Sequence, residues 1–201
     1  MDKKFKLGFM VGRMQPIHKG HQQLIDLGLE LCERFVILLG SSNESRTKSN
    51  PLTFTERYDL IKKIYGDKVE IYPIVNIGIG FVPEWGNYIM NTMKFYCDSY
   101  PDFYIGGVEE GRKDVFNNYP NLSTLYIGRD KIDVSATQIR DLVKNIAYPM
   151  YMNTDRMLIH MSNIEDRLKQ LIDEKIVQNV LGYRGVIKDT YKENNGKEAN
   201  S

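Results

Sequence analysis

Two of the three histidines in this 201-residue chain fall within four residues, in the segment Gly12-Arg13-Met14-Gln15-Pro16-Ile17-His18-Lys19-Gly20-His21. Imidazoles spaced i and i+3 share one face once a helix has begun. Arg13 and Lys19 add positive charge, and Pro16 stiffens the loop. Gly12 lets the chain turn, and Gly20 removes a side chain where a ligand would need close contact. An apolar run precedes the segment and a helical pattern follows it, so it joins a strand to a helix N-terminus. Free N–H groups and a partial positive charge at such a junction favour phosphate. Zinc ligation would need further donors, and no nearby Cys, Asp or Glu completes a shell.

Two other segments carry similar chemistry. Asp133-Val134-Ser135-Ala136-Thr137-Gln138-Ile139-Arg140 places two hydroxyls at a helix start, with Arg140 three residues beyond Thr137, so that both face one anion. Taken alone, this reads more readily as an ordinary capped helix with a surface arginine. Gly40 to Thr53, followed by Phe54-Thr55-Glu56-Arg57, is rich in small hydroxyl residues and holds the cations Arg46 and Lys48. Taken alone, it is equally a mobile polar loop.

The elements that would position these segments alternate in period. Phe5 to Val11, Arg34 to Leu39, Val69 to Val75, Phe103 to Ile105 and Leu122 to Ile127 are short apolar runs that predict strands. Gly20 to Leu31, Phe54 to Tyr65, Asn87 to Phe95 and Val134 to Val143 predict helices, with Thr53 or Thr55 and Ser135 as caps. Strands apolar on both faces that alternate with helices imply a parallel sheet covered by helices. Ligands of such sheets sit outside the strand carboxyl ends. Each segment above follows a predicted strand. The expected fold is therefore α/β, a Rossmann-like three-layer α/β/α parallel sheet over residues 1–147. A helical extension is expected over 148–185, packing on the core or on a second copy as a homo-oligomer. A polar, disordered tail is expected over 186–201.

Composition narrows the classes. Hydrophobic residues are 42% and charged residues 26% of the chain, near the globular average, with a formal net charge of +1. That charge gives no broad basic field for nucleic acid, so an anion site must be local. No apolar run of about 18 residues predicts a membrane span. Met1-Asp2-Lys3-Lys4 leads into a run too short for a signal peptide, which gives a cytoplasmic expectation. Cys32, in an apolar helical stretch, and Cys97 read as buried free thiols.

The segment ending in His21 resembles the HxGH signature of the nucleotidyltransferase superfamily. The longer string GRMQPIHKGH is similar to that of archaeal-type nicotinamide mononucleotide (NMN) adenylyltransferases. Ser135 to Arg140 resembles the second signature, ISxTxIR. Gly40 to Arg57 resembles a GSA-type strand end followed by NPFTxxER. The resemblance covers roughly residues 5 to 145. It implies an ATP-dependent adenylyl transfer to NMN that gives NAD and pyrophosphate, with Mg2+ carried on the ATP phosphates and no protein-held metal. His18, His21, Arg140 and Arg13 would then stabilise charge on the ATP phosphates. Gly12, Met14, Gly20, Ser135, Thr137, Gly106 and Glu109 would surround the nucleotide. Ser41, Asn43, Arg46, Lys48, Phe54 and Trp85 would take the acceptor. Trp85 would lie by the nicotinamide, where an aromatic face favours a cationic ring. The archaeal-type pattern often has a basic residue two positions before the proline, where this chain has Ser49, so the charge falls to Arg46 or Lys48. Other outcomes are a cytidylyltransferase, a pantetheine-phosphate adenylyltransferase, a silent nucleotide-sensing module, or an oligomeric scaffold built on the C-terminal helices.

Overall fold

The computed structural model describes residues 3–108, 114–128, 134–146 and 154–198. In chain order the elements are β1 (Phe5–Gly12), α1 (Lys19–Leu31), β2 (Cys32–Leu39), α2 (Phe54–Tyr65), β3 (Glu70–Pro73), α3 (Pro83–Cys97), β4 (Phe103–Gly107), β5 (Ser123–Ile127), α4 (Ala136–Lys144), α5 (Thr154–Leu171), α6 (Val177–Gly182) and α7 (Arg184–Glu198). They form two compact units with an interleaved chain. The first is Met1–Arg13, Gly20–Asn43 and Tyr65–Asp133, and the second is Met14–Lys19, Glu44–Ile64 and Val134–Ser201.

The first unit contains a five-stranded sheet in the order β3-β2-β1-β4-β5, and each strand pair is parallel. Phe35 to Leu39 are all buried, as expected of a strand covered on both faces. Alternate residues divide the two faces. Leu7, Phe9, Val36, Leu38 and Tyr104 join Ile89, Met90 and Met93 of α3 in one core, closed by Val115, Phe116 and Leu122. On the other face, α1 comes so close that a Cβ on Gly28 would lie 2.2 Å from the Phe35 ring.

Several boundaries move for local reasons. Cys32, expected in a helix, is the first residue of β2 and pairs with Phe5, and burial pushes its thiol up to about 12. α3 starts at Pro83 rather than Asn87, because proline is preorganised for the first helical turn. Gly106 and Gly107 belong to β4 rather than to a turn after it. They pair with Tyr126 and Ile127, and a Cβ on Gly106 would lie 2.3 Å from the Tyr104 hydroxyl. Gly86 of α3 is more demanding, since a Cβ there would lie 1.8 Å from the Val115 carbonyl oxygen. Gly86→Ala is expected to destabilise by about 2 kcal/mol. Urea unfolding checks this, and an unchanged midpoint would show that the helix and this carbonyl part freely.

In the second unit, Thr53 and not Thr55 caps α2. Its hydroxyl accepts from Glu56 N (3.2 Å) while Glu56 Oε2 accepts from Thr53 N (2.8 Å), a capping box. Ser135 and Gln138 form the same device on α4. The expected disordered tail is helical as far as Glu198. α7 buries Ile187 and Thr190, and Arg184 donates to Ile146 O (2.6 and 3.1 Å) just past the end of α4. Those two buried positions, three apart, give the polar tail an anchored face.

Candidate active site

Within the first unit, β1 and β4 are neighbours whose connections run to opposite sides of the sheet order. Their carboxyl ends therefore mark a switch point, where ligands of doubly wound sheets bind. Gly12 ends β1, and its carbonyl accepts from Gly40 N at 2.9 Å, which joins the ends of β1 and β2. Ser41 follows in the left-handed region (φ 48°) and is buried. Asn43, expected at the acceptor, accepts from Asn76 N through Oδ1 at 3.0 Å and so also orders the loop after β3. Trp85 sits half-buried in the first turn of α3, with its ring centroid 5.4 Å from that of Tyr88. Gly20 is buried and His21 partly buried in the first turns of α1. Gly106 lies at the end of β4. Glu109 lies outside the described residues.

Within the second unit, Met14–Lys19 of the first signature meets the Ser135–Arg140 segment. Arg140 is buried, and its Nη1 donates to Gln15 O (2.8 Å) and its Nη2 to Thr137 Oγ1 (3.0 Å). Arg140 Nε, also buried, has no hydrogen-bond acceptor among the described residues. His18 is buried, and that burial pushes its imidazole down to about 4, so it is neutral at pH 7. Met14 is buried and holds φ 50°, a left-handed conformation that costs a non-glycine residue about 1–2 kcal/mol. Lys19, counted above as charge for a ligand, instead donates through Nζ to Lys169 O (2.6 Å) in the last turn of α5, where the helix dipole favours a cation.

Gln15 is the residue that sequence reasoning missed. It is 2% exposed, and its side chain pairs with both backbone groups of Leu52: Nε2 donates to Leu52 O and Oε1 accepts from Leu52 N, each at 2.9 Å. With Arg140 on its own carbonyl, Gln15 ties three segments together. A glutamine in a loop carries no sequence signal for this, because amide type does not reveal burial. Gln15→Glu keeps the shape but replaces the donor to Leu52 O. A loss of about 2 kcal/mol in stability is expected, read as a lowered Tm, and an unchanged Tm would show the pairing to be dispensable.

The loop cations have partners too. Arg46 makes a two-pronged ion pair with Glu56 (2.8 and 2.9 Å) and also donates to Pro51 O (3.0 Å). Burial alone would raise the Glu56 carboxyl, but hydrogen bonds from Arg46 and Thr53 outweigh it and hold it below its usual range. Arg46 thus shapes the loop around the α2 cap. Lys48 is exposed, with its ammonium 5.5 Å from the Tyr191 ring centroid. Phe54 lies half-buried against Tyr58, ring centroids 6.0 Å apart. Asn50 is buried. It donates from Nδ2 to Glu44 (2.6 Å), and its Oδ1 meets no donor among the described residues.

The sequence model of the family described as cytidylyltransferase-like matches residues 9–147, well over half of the chain. The chain belongs to the cytidylyltransferase-like family. This agrees with the HxGH resemblance, and the sheet described above is the α/β, Rossmann-like nucleotidyltransferase fold. Within the family, the chain is similar to the nicotinamide-nucleotide adenylyltransferase of Saccharolobus solfataricus, with 36% identity over 95 residues, 44% of this chain and 54% of that protein. It is also similar to the enzyme of that name from Ignicoccus hospitalis, with 40% identity over 72 residues, 33% of this chain and 42% of that protein. These matches span about half the length of the relatives. Among solved structures, the chain resembles a bifunctional NMN adenylyltransferase/ADP ribose pyrophosphatase from Francisella tularensis complexed with AMP and a manganese ion. The TM-score is 0.63 at 21% identity, over 95% of this chain and 53% of that one, a likeness of fold. Among the described residues, no helix is long and apolar enough to cross a membrane.

Proposed function

We propose that the chain is a nicotinamide mononucleotide adenylyltransferase that converts ATP and NMN to NAD and pyrophosphate. The observation that carries this is the hydrogen bond from Arg140 to Gln15 O, which joins two signature segments 125 residues apart. An NMN phosphate oxygen forms a bond to the ATP α-phosphorus in line, and the bond from that phosphorus to the bridging oxygen breaks. Pyrophosphate leaves with the electron pair. The attacking phosphate carries about −1.5 to −2 charge at neutral pH, so it needs no general base. The protein's task is positioning and electrostatic stabilisation. His18, neutral, donates one N–H, and Arg140 offers its remaining donors to the ATP phosphates. His21 and Arg13, from the same stretch of chain as His18, act on those phosphates as well.

Gly12, Met14, Gly20, Ser135, Thr137 and Gly106 serve the nucleotide through backbone groups and hydroxyls. Ser41, Asn43, Phe54 and Trp85 serve NMN, with Trp85 against the pyridinium. Lys48, whose charge faces solvent, is the cation offered to the NMN phosphate, and Arg46 acts by shaping the loop. Among the described residues, no three His, Cys, Asp or Glu side chains converge to hold a metal. The substrate proposed is ATP with Mg2+ carried on its phosphates, and the neutral and cationic donors named above suit that anion. A cytoplasmic setting is in keeping with the two buried free thiols.

The test is NAD formation by the purified protein from ATP, Mg2+ and NMN, run beside CTP and 4′-phosphopantetheine. NAD formed only with ATP and NMN is the expected result. Turnover with another pair and no NAD would overturn the substrates and keep the reaction class. ATP binding with no turnover would make the chain a nucleotide sensor.

A further inference from the structure

The C-terminal helix is not part of either signature, yet within the second unit one of its residues touches two of the segments used above. Tyr191 of α7 donates its hydroxyl to Asp141 Oδ1 at 3.3 Å. Its ring centroid lies 3.9 Å from Lys144 Nζ and 5.5 Å from Lys48 Nζ, both within cation–π range. Asp141 pairs with Lys144 at 2.7 Å, which offsets the mutual repulsion of two ammonium groups at one ring. Asp141 and Lys144 belong to α4, the helix that carries Arg140, and Lys48 belongs to the Glu44–Thr53 loop. Arg184, one helical stretch earlier, fixes α7 on Ile146 O. α7 is therefore held both on α4 and just past its end, and its aromatic ring reaches the one loop cation that Glu56 does not engage.

We propose that Tyr191 is a positioning residue: its ring holds the Lys48 ammonium at a fixed place relative to the helix that bears Arg140. The chain thereby keeps a directed cation for the acceptor phosphate although Ser49 carries none. This rests on the function proposed above. It also makes a claim about the loop that is independent of turnover.

Two measurements on the full chain separate these. The first is hydrogen–deuterium exchange of the ligand-free protein over residues 44–53, where the amides of Arg46, Thr47 and Asn50 are hydrogen-bonded within the loop. Tyr191→Leu is expected to speed exchange in that loop, and Tyr191→Phe, which keeps the ring, is expected to leave it unchanged. The second is steady-state kinetics. Tyr191→Leu is expected to raise KM for NMN about 3- to 10-fold with kcat little changed, and Tyr191→Phe restores the wild-type value. Unchanged loop exchange in Tyr191→Leu overturns the proposal, as does a fall in kcat at constant KM. If Tyr191→Leu loosens the whole chain, Lys48→Met removes the same contact from an exposed position. It must reproduce the faster loop exchange, or the proposal is wrong. Absence of NAD formation by the wild-type protein would remove the enzymatic reading, and the exchange data would still decide the contact.

Discussion

Arg140→Ala is expected to lower kcat for NAD formation on the order of 10²–10³-fold, the scale for losing one preorganised donor to developing charge. The guanidinium is buried and already oriented by Gln15 O and Thr137 Oγ1, so it needs no reorganisation when the transition state forms. Arg140→Lys should recover little of the loss. An ammonium is a point charge on a flexible stem and cannot hold Gln15 O and Thr137 together while presenting a third donor. Arg140→Ala also leaves Gln15 O short of a partner, at about 1–3 kcal/mol of stability, so melting curves must accompany the kinetics. A kcat within a few-fold of wild type in a folded Arg140→Ala protein would remove Arg140 from the chemistry.

The second large effect concerns pH. Burial depresses the folded-state His18 pKa to about 4, whereas an unfolded histidine titrates near 6.5. Below 6.5 the unfolded chain binds a proton at this site that the folded chain does not. His18 therefore costs stability progressively as pH falls from 6.5 to about 4, and its effect levels off below that. The difference amounts to about 3 kcal/mol over the window. Carboxylates titrate in part of the same range, so the quantity to measure is the difference between wild type and His18→Gln. Urea-derived stabilities at pH 7 and pH 4.5 are expected to fall more steeply for the wild type. Parallel curves would show that His18 takes a proton in the folded state as readily as in the unfolded one.

The parallel sheet was legible because its strands are continuous apolar runs, which only burial on both faces requires. Ser135 was legible as a cap because its hydroxyl acts three residues away, within reach of a local pattern. The partners of the charged side chains were not legible. Arg46, Lys48 and Lys19 all read as charge for a ligand, yet Glu56 engages Arg46 and the end of α5 engages Lys19, while Lys48 stays exposed beside the Tyr191 ring. Gln15 was hidden for the same reason, because its partner Leu52 lies 37 positions away. The helix over Arg184–Glu198 escaped because its anchoring positions, Ile187 and Thr190, are few in a polar stretch of sequence. What a motif shows is which groups are present. Which of them remain available is decided by tertiary contacts.

The interleaving of the two units has a consequence for biosynthesis. The chain passes from one unit to the other five times, and the last passage is at Val134. A nascent chain released as far as β5 carries every strand of the sheet. The second unit then consists only of Met14–Lys19 and Glu44–Ile64, without α4 to supply Arg140 for Gln15 O. Gln15 is thus among the first residues made, and its carbonyl gains Arg140 only after every strand of the sheet has been made. No contiguous fragment holds the second unit without the sheet between its parts, so separate expression of the two units would require cutting and rejoining the chain.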